Sequence, residues 1–310
     1  MAAHAVRPAA RCGLIEALVG ILQAATPLIY VTLAGMLAQR SGVPHLGLEG
    51  LMIAGACAAV VGTKQSSSLP LGLGIAIVVC VLGSVLLWFV IEKLRANPVI
   101  AGLGLTGLGV GGTDLAIQSL YGSEGAIRAP AALPHLGAWA GDFAGLSALA
   151  IAMPFAVAAL RVLLRRTRFG LRLAASGEHP FAARSVGAKP NRMRLIALSL
   201  GGVFCALGGA ELALGSLQIF SVGMTAGRGF MAFAAVTFGA ANPLGASAAA
   251  TFFALAEYLG IKAQLTIGKA APPEVLLSLP YLATIAGVWA SSRLRGRSDP
   301  SATISELREY

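Results

Sequence analysis

Long apolar segments alternate with short polar ones along the chain. Nine segments are predicted membrane spans, since about 20 apolar residues cross a hydrocarbon core of about 30 Å: 14–37, 48–62, 69–91, 99–120, 143–164, 195–217, 229–240, 245–261 and 275–290. Segments 48–62 and 229–240 are short for a full crossing. The pattern predicts an all-α polytopic membrane protein with about 8–10 transmembrane helices, some of them short or broken. We expect one transmembrane domain over residues 1–310.

Composition agrees with this prediction. Of 310 residues, 56% are hydrophobic and 12% charged, and soluble domains carry about 25% charged residues. The 39 glycines exceed the usual 7% or so, and they let transmembrane backbones approach closely. The net charge of +10 is gathered in short polar segments, so membrane orientation explains it better than a nucleic-acid partner does. The four scattered cysteines indicate neither a metal site nor a disulfide framework.

The most polar segment is 161–194, which carries nine Lys and Arg against one acid, Glu178. Basic residues in short loops resist translocation, so this segment is predicted to be a cytoplasmic loop. The basic tail 292–310 is predicted to be cytoplasmic for the same reason. Counting spans back from the loop places the N-terminus outside.

Residues 178–187 have the features of one short helix. Pro180 suits its first position, and Gly187 suits the left-handed residue just past its end. Ala182 and Val186 share a face near Phe181, which gives a charged loop a small apolar patch. Such a helix either docks in a groove on a soluble partner or lies on the membrane surface against anionic lipid.

Two short stretches, 47–52 and 226–231, share a pattern. Each has a single charge between two glycines, followed by a large apolar residue and Met: Gly47, Glu49 and Gly50 lie in the first, Gly227, Arg228 and Gly229 in the second. Their spans run in opposite predicted directions, as in inverted repeats with broken helices on a transport path. Glu49 and Arg228 are expected to position helices and to lie toward opposite faces of the membrane.

Other charged residues interrupt the apolar segments. Because a charged group inside a membrane is costly, each of these residues is a candidate for function. Asp114 is the best pathway candidate among the remaining acids. The turn at Asn242 and Pro243 breaks a helix between two spans.

Five stretches, in this order along the chain, resemble the permease subunits of bacterial ABC importers: 25–28, 40–52, 169–183, 225–230 and 238–245. The chain is most similar to the branch of ribose and branched-chain amino acid permeases, and within it to nucleoside importers that work with a basic membrane lipoprotein. The resemblance covers residues 25–290.

The resemblance implies that 178–187 is a coupling helix that docks into an ATPase subunit. Candidate coupling residues are Gly177, Glu178, Pro180, Phe181, Ala182, Ala183 and Gly187. It further implies a permease pair, identical or not, an extracytoplasmic binding protein, membrane lipid around the spans, and ATP and Mg²⁺ on the partner ATPase. The chain itself has no phosphate-binding loop, and it is expected to be neither an enzyme nor a cofactor or metal binder.

Two residues depart from the nucleoside subgroup. His45 and Thr106 stand where that subgroup usually has Asn, so a simple sugar or a branched-chain amino acid is an alternative substrate. An ion-gradient-driven secondary transporter is the alternative to the ABC importer, although it leaves the short docking helix unexplained. The bacterial cytoplasmic (inner) membrane is the expected location.

Overall fold

The protein is an all-α membrane bundle with one small sheet. The computed structural model describes residues 9–122, 126–135, 145–185, 187–239 and 242–267. In chain order its elements are α1 (Ala9–Arg40), α2 (Leu48–Ser66), α3 (Leu69–Glu92), α4 (Pro98–Tyr121), β1 (Ala126–Arg128), α5 (Ala148–Arg166), α6 (Arg168–Glu178), α7 (Pro180–Ser185), α8 (Pro190–Ala210), a π-helical extension of α8 (Glu211–Ser216), β2 (Ile219–Ser221), α9 (Arg228–Phe238) and α10 (Pro243–Ile267).

Six of the helical segments described are long and apolar enough to cross a membrane. They are Ala17–Arg40, Leu69–Glu92, Pro98–Tyr121, Ala148–Arg166, Pro190–Ser216 and Pro243–Leu265. The predicted all-α polytopic class is therefore confirmed. Of the two segments predicted to be short, α9 has 11 residues, but α2, predicted over 48–62, has 19 and is longer than expected. The predicted span 275–290 and tail 292–310 lie outside the described residues.

Helix α2 is the centre of the bundle and contacts α3, α4, α8 and α9. Glycines allow this close packing. A Cβ atom on Gly109 of α4 would lie 2.3 Å from the carbonyl oxygen of Gly50, and one on Gly209 of α8 would lie 2.3 Å from that of Met52. Since lipid gives helices no hydrophobic reason to associate, this backbone contact is what holds α2 in place.

The strongly basic segment lies at one end of the bundle, which we call the basic end. Gly177 of α6 packs on the end of α1, where an added Cβ would lie 2.4 Å from the carbonyl oxygen of Arg40. Arg194 of α8 donates to the Ser41 carbonyl oxygen at 3.2 Å and pairs with Glu92, the last residue of α3, at 2.5 Å. The ends of α1 and α3 therefore meet the start of α8 and the end of α6 at the basic end.

A two-stranded antiparallel sheet marks the opposite end. Strand β1 follows α4 and strand β2 follows α8, with Ala126 opposite Ser221 and Arg128 opposite Ile219. Strand β1 lies in segment 121–140, whose sequence has no hydrophobic periodicity. Only three residues long, this strand has too little alternation to be visible as a pattern.

The chain separates into two compact units, 1–254 and 255–310. Each is considered by itself. The first contains everything described above except the last turns of α10. Of the second, residues 255–267 are described, and in them the Lys262 ammonium lies 5.7 Å from the centre of the Tyr258 ring.

Candidate functional site

Two broken helices meet at a buried carboxylate. Glu49, in the first turn of α2, is 6% exposed, and its two oxygens accept hydrogen bonds from the start of α9. The Gly227 amide donates to Oε1 at 3.0 Å and the Gly229 amide to Oε2 at 2.6 Å. We call this arrangement the Glu49 junction. The first amides of a helix have no partner inside it and carry partial positive charge, so a carboxylate satisfies and stabilises them.

The sequence around the junction is suited to it. Gly227 has φ +81°, a left-handed conformation that glycine adopts without steric cost. Gly229 has no such requirement, but a Cβ atom there would lie 2.3 Å from the Glu49 amide nitrogen. The two glycines on either side of Arg228 thus serve different purposes: one makes the turn and the other lets α2 approach.

The junction lies deep in the bundle. Gly50 packs against Gly109, eleven residues beyond the first residue of α4, which corresponds to about 16 Å along that helix. Gly47, just before α2, packs against Gly102, four residues beyond the first residue of α4 and about 6 Å along it, so α2 begins past the first turn of α4. From the junction, α9 runs toward the basic end, where Val236 lies against Gly35 of α1.

This geometry corrects the expectation that Glu49 and Arg228 lie toward opposite faces. The spans do run away from each other, as predicted, but their starting turns meet. A buried carboxylate and two unpaired helix amides each need a partner, and here they satisfy one another. The Arg228 guanidinium donates to the Met224 carbonyl oxygen at 3.1 Å, within its own turn.

Gly47 and Gly50, two more pathway candidates, lie beside the junction. A Cβ on Gly47 would lie 3.1 Å from the Gly102 carbonyl oxygen, and one on Gly50 2.5 Å from the Leu105 carbonyl oxygen, so both glycines hold α2 against α4. Asp114 is half-buried on α4, five residues past Gly109.

The segment leading into α2 carries the two unusual residues. His45 is 1% exposed, and both of its ring nitrogens lack a hydrogen-bond partner among the described residues. The Thr106 hydroxyl donates to the Leu46 carbonyl oxygen at 3.1 Å and to that of Gly102 at 3.3 Å. Thr106 therefore links this segment to α4, whereas His45 contributes no hydrogen bond among the described residues.

Asn242 and Pro243 lie at the break between α9 and α10, as predicted. Helix α9 ends at Phe238 and α10 begins at Pro243. The Asn242 amide donates to the Gly239 carbonyl oxygen at 3.0 Å, and the Asn242 carbonyl accepts from Ala246 at 2.9 Å. The close approach of the two helices needs Gly239, where a Cβ would lie 2.2 Å from the Ala246 amide nitrogen.

A second buried acid is one of the charged residues that interrupt the apolar segments. Glu211 begins the π-helical extension of α8 and is 1% exposed. The Ser147 hydroxyl donates to its Oε1 at 2.7 Å, and the same hydroxyl accepts from the Ala150 amide at the start of α5. The sequence signal was a charge within an apolar segment, which identifies a candidate but not its partner.

The basic segment contains two helices where one was predicted. Helix α7 runs from Pro180 to Ser185, and Gly187 follows with φ +82°, so the two predicted helix signals are confirmed. Glu178, however, is the last residue of α6, which is a correction to the predicted helix 178–187. Pro180 disfavours the helical conformation at His179, so the chain breaks there.

The exposed face of α7 carries the two described members of the predicted apolar patch, Phe181 and Ala182. Phe181 is 84% exposed and Ala182 is also exposed, whereas Ala183 is 3% exposed and faces the protein. Val186 lies outside the described residues. The Arg184 guanidinium lies 5.9 Å from the centre of the Phe181 ring. The helix therefore presents one aromatic side chain among basic ones.

Comparisons with known proteins agree with this architecture. Residues 17–290 match the family described as branched-chain amino acid transport system, permease component. The chain is 34% identical to the guanosine ABC transporter permease protein NupQ of Bacillus subtilis, over 89% of this chain and 90% of that one. It is 31% identical to the putative glucose ABC transporter permease protein TsgC13 of Haloferax volcanii, over 88% and 90%.

A further relative has a related name. The nucleoside ABC transporter permease protein NupC of Lactococcus lactis is 31% identical, over 84% of this chain and 87% of that one. No solved structure matches the chain significantly. Among the described residues, no group of three His, Cys, Asp or Glu side chains could hold a metal ion.

Proposed function

Because the chain belongs to the family of branched-chain amino acid transport permease components, we propose that it is the transmembrane subunit of an ATP-driven importer whose substrate is a nucleoside. The observation that carries the substrate is its likeness to the guanosine permease over nine-tenths of both chains. A simple sugar is the second candidate, favoured by the glucose relative. The chain would work in the bacterial cytoplasmic membrane, with its basic end in the cytoplasm.

Helix α7 is the proposed docking site for an ATPase subunit. Its aromatic residue, Phe181, projects from a basic segment, which is the kind of anchor that a groove on a soluble partner can accept. ATP and Mg²⁺ would bind that partner. Residues 177–187 have two proposed roles. Phe181 and Ala182 contact the ATPase, while Gly177 and Ala183 pack α6 and α7 against the bundle.

The packing offers a route from this docking site to the Glu49 junction. Gly177 of α6 lies in backbone contact with the end of α1 at Gly42. Seven residues earlier, Gly35 of α1 touches Val236 of α9 and Leu48 of α2. A shift of α7 and α6 on ATP binding would therefore reach both broken helices through α1, as in other transporters where one bundle moves against another.

The partners are tested by purification. The tagged chain is extracted mildly from its native membrane, and the proteins that accompany it are identified. We expect a stoichiometric ATPase, a second permease that is either another copy or a homologue, and an extracytoplasmic binding protein whose ligand is then screened. Isolation without an ATPase, together with uptake driven by an ion gradient alone, would contradict the proposal and favour the secondary transporter.

Sidedness is tested separately. A single cysteine at exposed position 185, introduced as Ser185→Cys in a chain whose native cysteines are replaced, should react with a membrane-impermeant maleimide only from the cytoplasmic side. Labelling of intact cells from outside would invert the assigned topology.

A further inference from the structure

A groove on the side of the bundle has an apolar length and a basic end. Helices α1, α5 and α10 enclose a cavity of about 760 Å³. Its apolar wall includes Ile29, Met153, Val157 and Leu244, and Arg161, Arg165 and Arg166 line it where α5 reaches the basic end. Among the described residues that line it, none is acidic. From these features we propose that the groove binds one anionic phospholipid, with an acyl chain along the apolar wall and the phosphate at the three arginines.

The dimensions fit one leaflet. Met153 and Arg165 are twelve residues apart on α5, which is about 18 Å along the helix. Half of the hydrocarbon core measures about 15 Å, so the apolar part of the groove spans a leaflet and the arginines reach its headgroup level. An acyl chain in the groove would make dispersion contacts with apolar side chains that would otherwise face a void.

The charges select the headgroup. Arg161, Arg165 and Arg166 are exposed and converge on the same cavity, and guanidinium groups bind phosphate with two parallel hydrogen bonds. The first residues of α10 lie at the same end, where the positive end of the helix dipole adds to the attraction for an anion. Basic pockets between transmembrane helices at the cytoplasmic level favour anionic over zwitterionic lipids. This inference depends on the membrane placement of the bundle and not on the proposed substrate or ATPase.

The experiment counts bound lipid on the intact chain. The purified full-length protein is stripped of lipid by detergent exchange, incubated with equal amounts of phosphatidylglycerol and phosphatidylcholine, and analysed by native mass spectrometry. We expect at least one tightly held phosphatidylglycerol and at least tenfold preference over phosphatidylcholine. Arg161→Gln/Arg165→Gln/Arg166→Gln should lower that preference at least tenfold.

Two further variants separate the groove from general charge. Arg168→Gln/Arg172→Gln/Arg184→Gln removes the same charge from exposed residues of α6 and α7 and should leave the preference unchanged. Ala248→Phe, at an exposed alanine lining the groove, should reduce binding of phosphatidylglycerol with no change of charge. Size-exclusion chromatography and thermal unfolding check that each variant is folded.

Several results would overturn the proposal. Equal binding of the two lipids would show that the arginines do not select a headgroup. Unchanged binding in Ala248→Phe would place the lipid elsewhere, and displacement by glycerol 3-phosphate alone would show a site for a soluble phosphate. Absence of any retained lipid on the folded wild-type chain would mean that protein, such as the span predicted at 275–290 or a second permease, covers the groove.

Discussion

The Glu49 junction and helix α7 both lie at a break rich in proline or glycine, but the side chains at the two places have opposite environments. At the junction, the carboxylate is buried and both of its oxygens accept backbone hydrogen bonds. On α7, Phe181 and Arg184 are exposed to solvent. A buried charge must be satisfied by the protein itself, whereas an exposed side chain is available to a partner.

The difference predicts different consequences of mutation. Changes at the junction should damage folding and transport together, because the same atoms hold the helices and belong to the pathway that we propose. Changes on the exposed face of α7 should damage transport alone.

The largest effect is expected for Glu49→Ala. It leaves the Gly227 and Gly229 amides without their acceptor in a buried setting, at a cost of roughly 3 kcal/mol in the free energy of unfolding, and uptake should be lost. Thermal unfolding in detergent and substrate uptake measure the two effects. Glu178→Gln removes the charge of an exposed acid and serves as the control for stability alone, since Glu178 is a candidate coupling residue. A Glu49→Ala protein as stable as wild type would show that the junction does not hold α9.

The next effect is expected at the glycine contacts beneath the junction. Gly109→Ala places a methyl group where the Gly50 carbonyl oxygen lies 2.3 Å away, so we expect about 2 kcal/mol of destabilisation from overpacking. Gly107→Ala is a matched control two residues away on the same helix, with open space around its Cβ. It should be neutral or slightly stabilising, since alanine favours helix more than glycine does. Equal thermal stabilities for the two variants would contradict the close approach of α2 and α4.

Phe181→Ala tests the exposed region. Without its aromatic anchor, α7 should couple the ATPase poorly, and ATP-driven uptake should fall about tenfold, or about 1.4 kcal/mol, with the unfolding temperature unchanged. Leu171→Ala is the control: Leu171 is an exposed apolar residue of the neighbouring helix α6, and this variant should retain uptake. Ala183 is a poor site for this test, because a bulky charge there would disturb buried packing as well as docking. Normal uptake by Phe181→Ala would remove α7 from the coupling mechanism.

The smallest effect is expected for Thr106→Val. This nearly isosteric change removes the hydroxyl that links α4 to the Leu46 carbonyl oxygen, so about 1 kcal/mol of stability should be lost. Thr237→Val is the comparison, since that exposed hydroxyl bonds only within its own helix, to the Phe233 carbonyl oxygen. If both variants unfold at the same temperature, the link between α4 and the segment before α2 contributes nothing measurable.

What could be predicted from the sequence was local. Pro180 and Gly187 mark both ends of α7, and Pro243 starts α10, because these residues restrict the backbone wherever they occur. Helix α6 is amphipathic, with Gly170, Leu173 and Ser176 on its buried face, but it was missed because its basic, polar composition was taken to indicate a loop. Low average hydrophobicity does not exclude a helix whose apolar residues recur at helical spacing.

The partners of the buried acids could not be predicted for a different reason. Glu49 meets Gly227 across 178 positions, and Ser147 meets Glu211 across 64. Which residues meet over such separations depends on how the helices pack, and a repeated pattern of glycine and charge does not specify that. The pattern identified both stretches as breaks in helices, but it placed them on opposite faces when in fact they touch.

ATP-dependent uptake by the native complex tests the central claim most directly. The complex copurified with the tagged chain is reconstituted into liposomes, its binding protein is added outside, and entry of labelled guanosine is followed with ATP or ADP enclosed. We predict uptake only with ATP, competed by other nucleosides and not by glucose. Uptake that proceeds with ADP under an ion gradient would contradict an ATP-driven importer, and competition by glucose alone would contradict the nucleoside substrate.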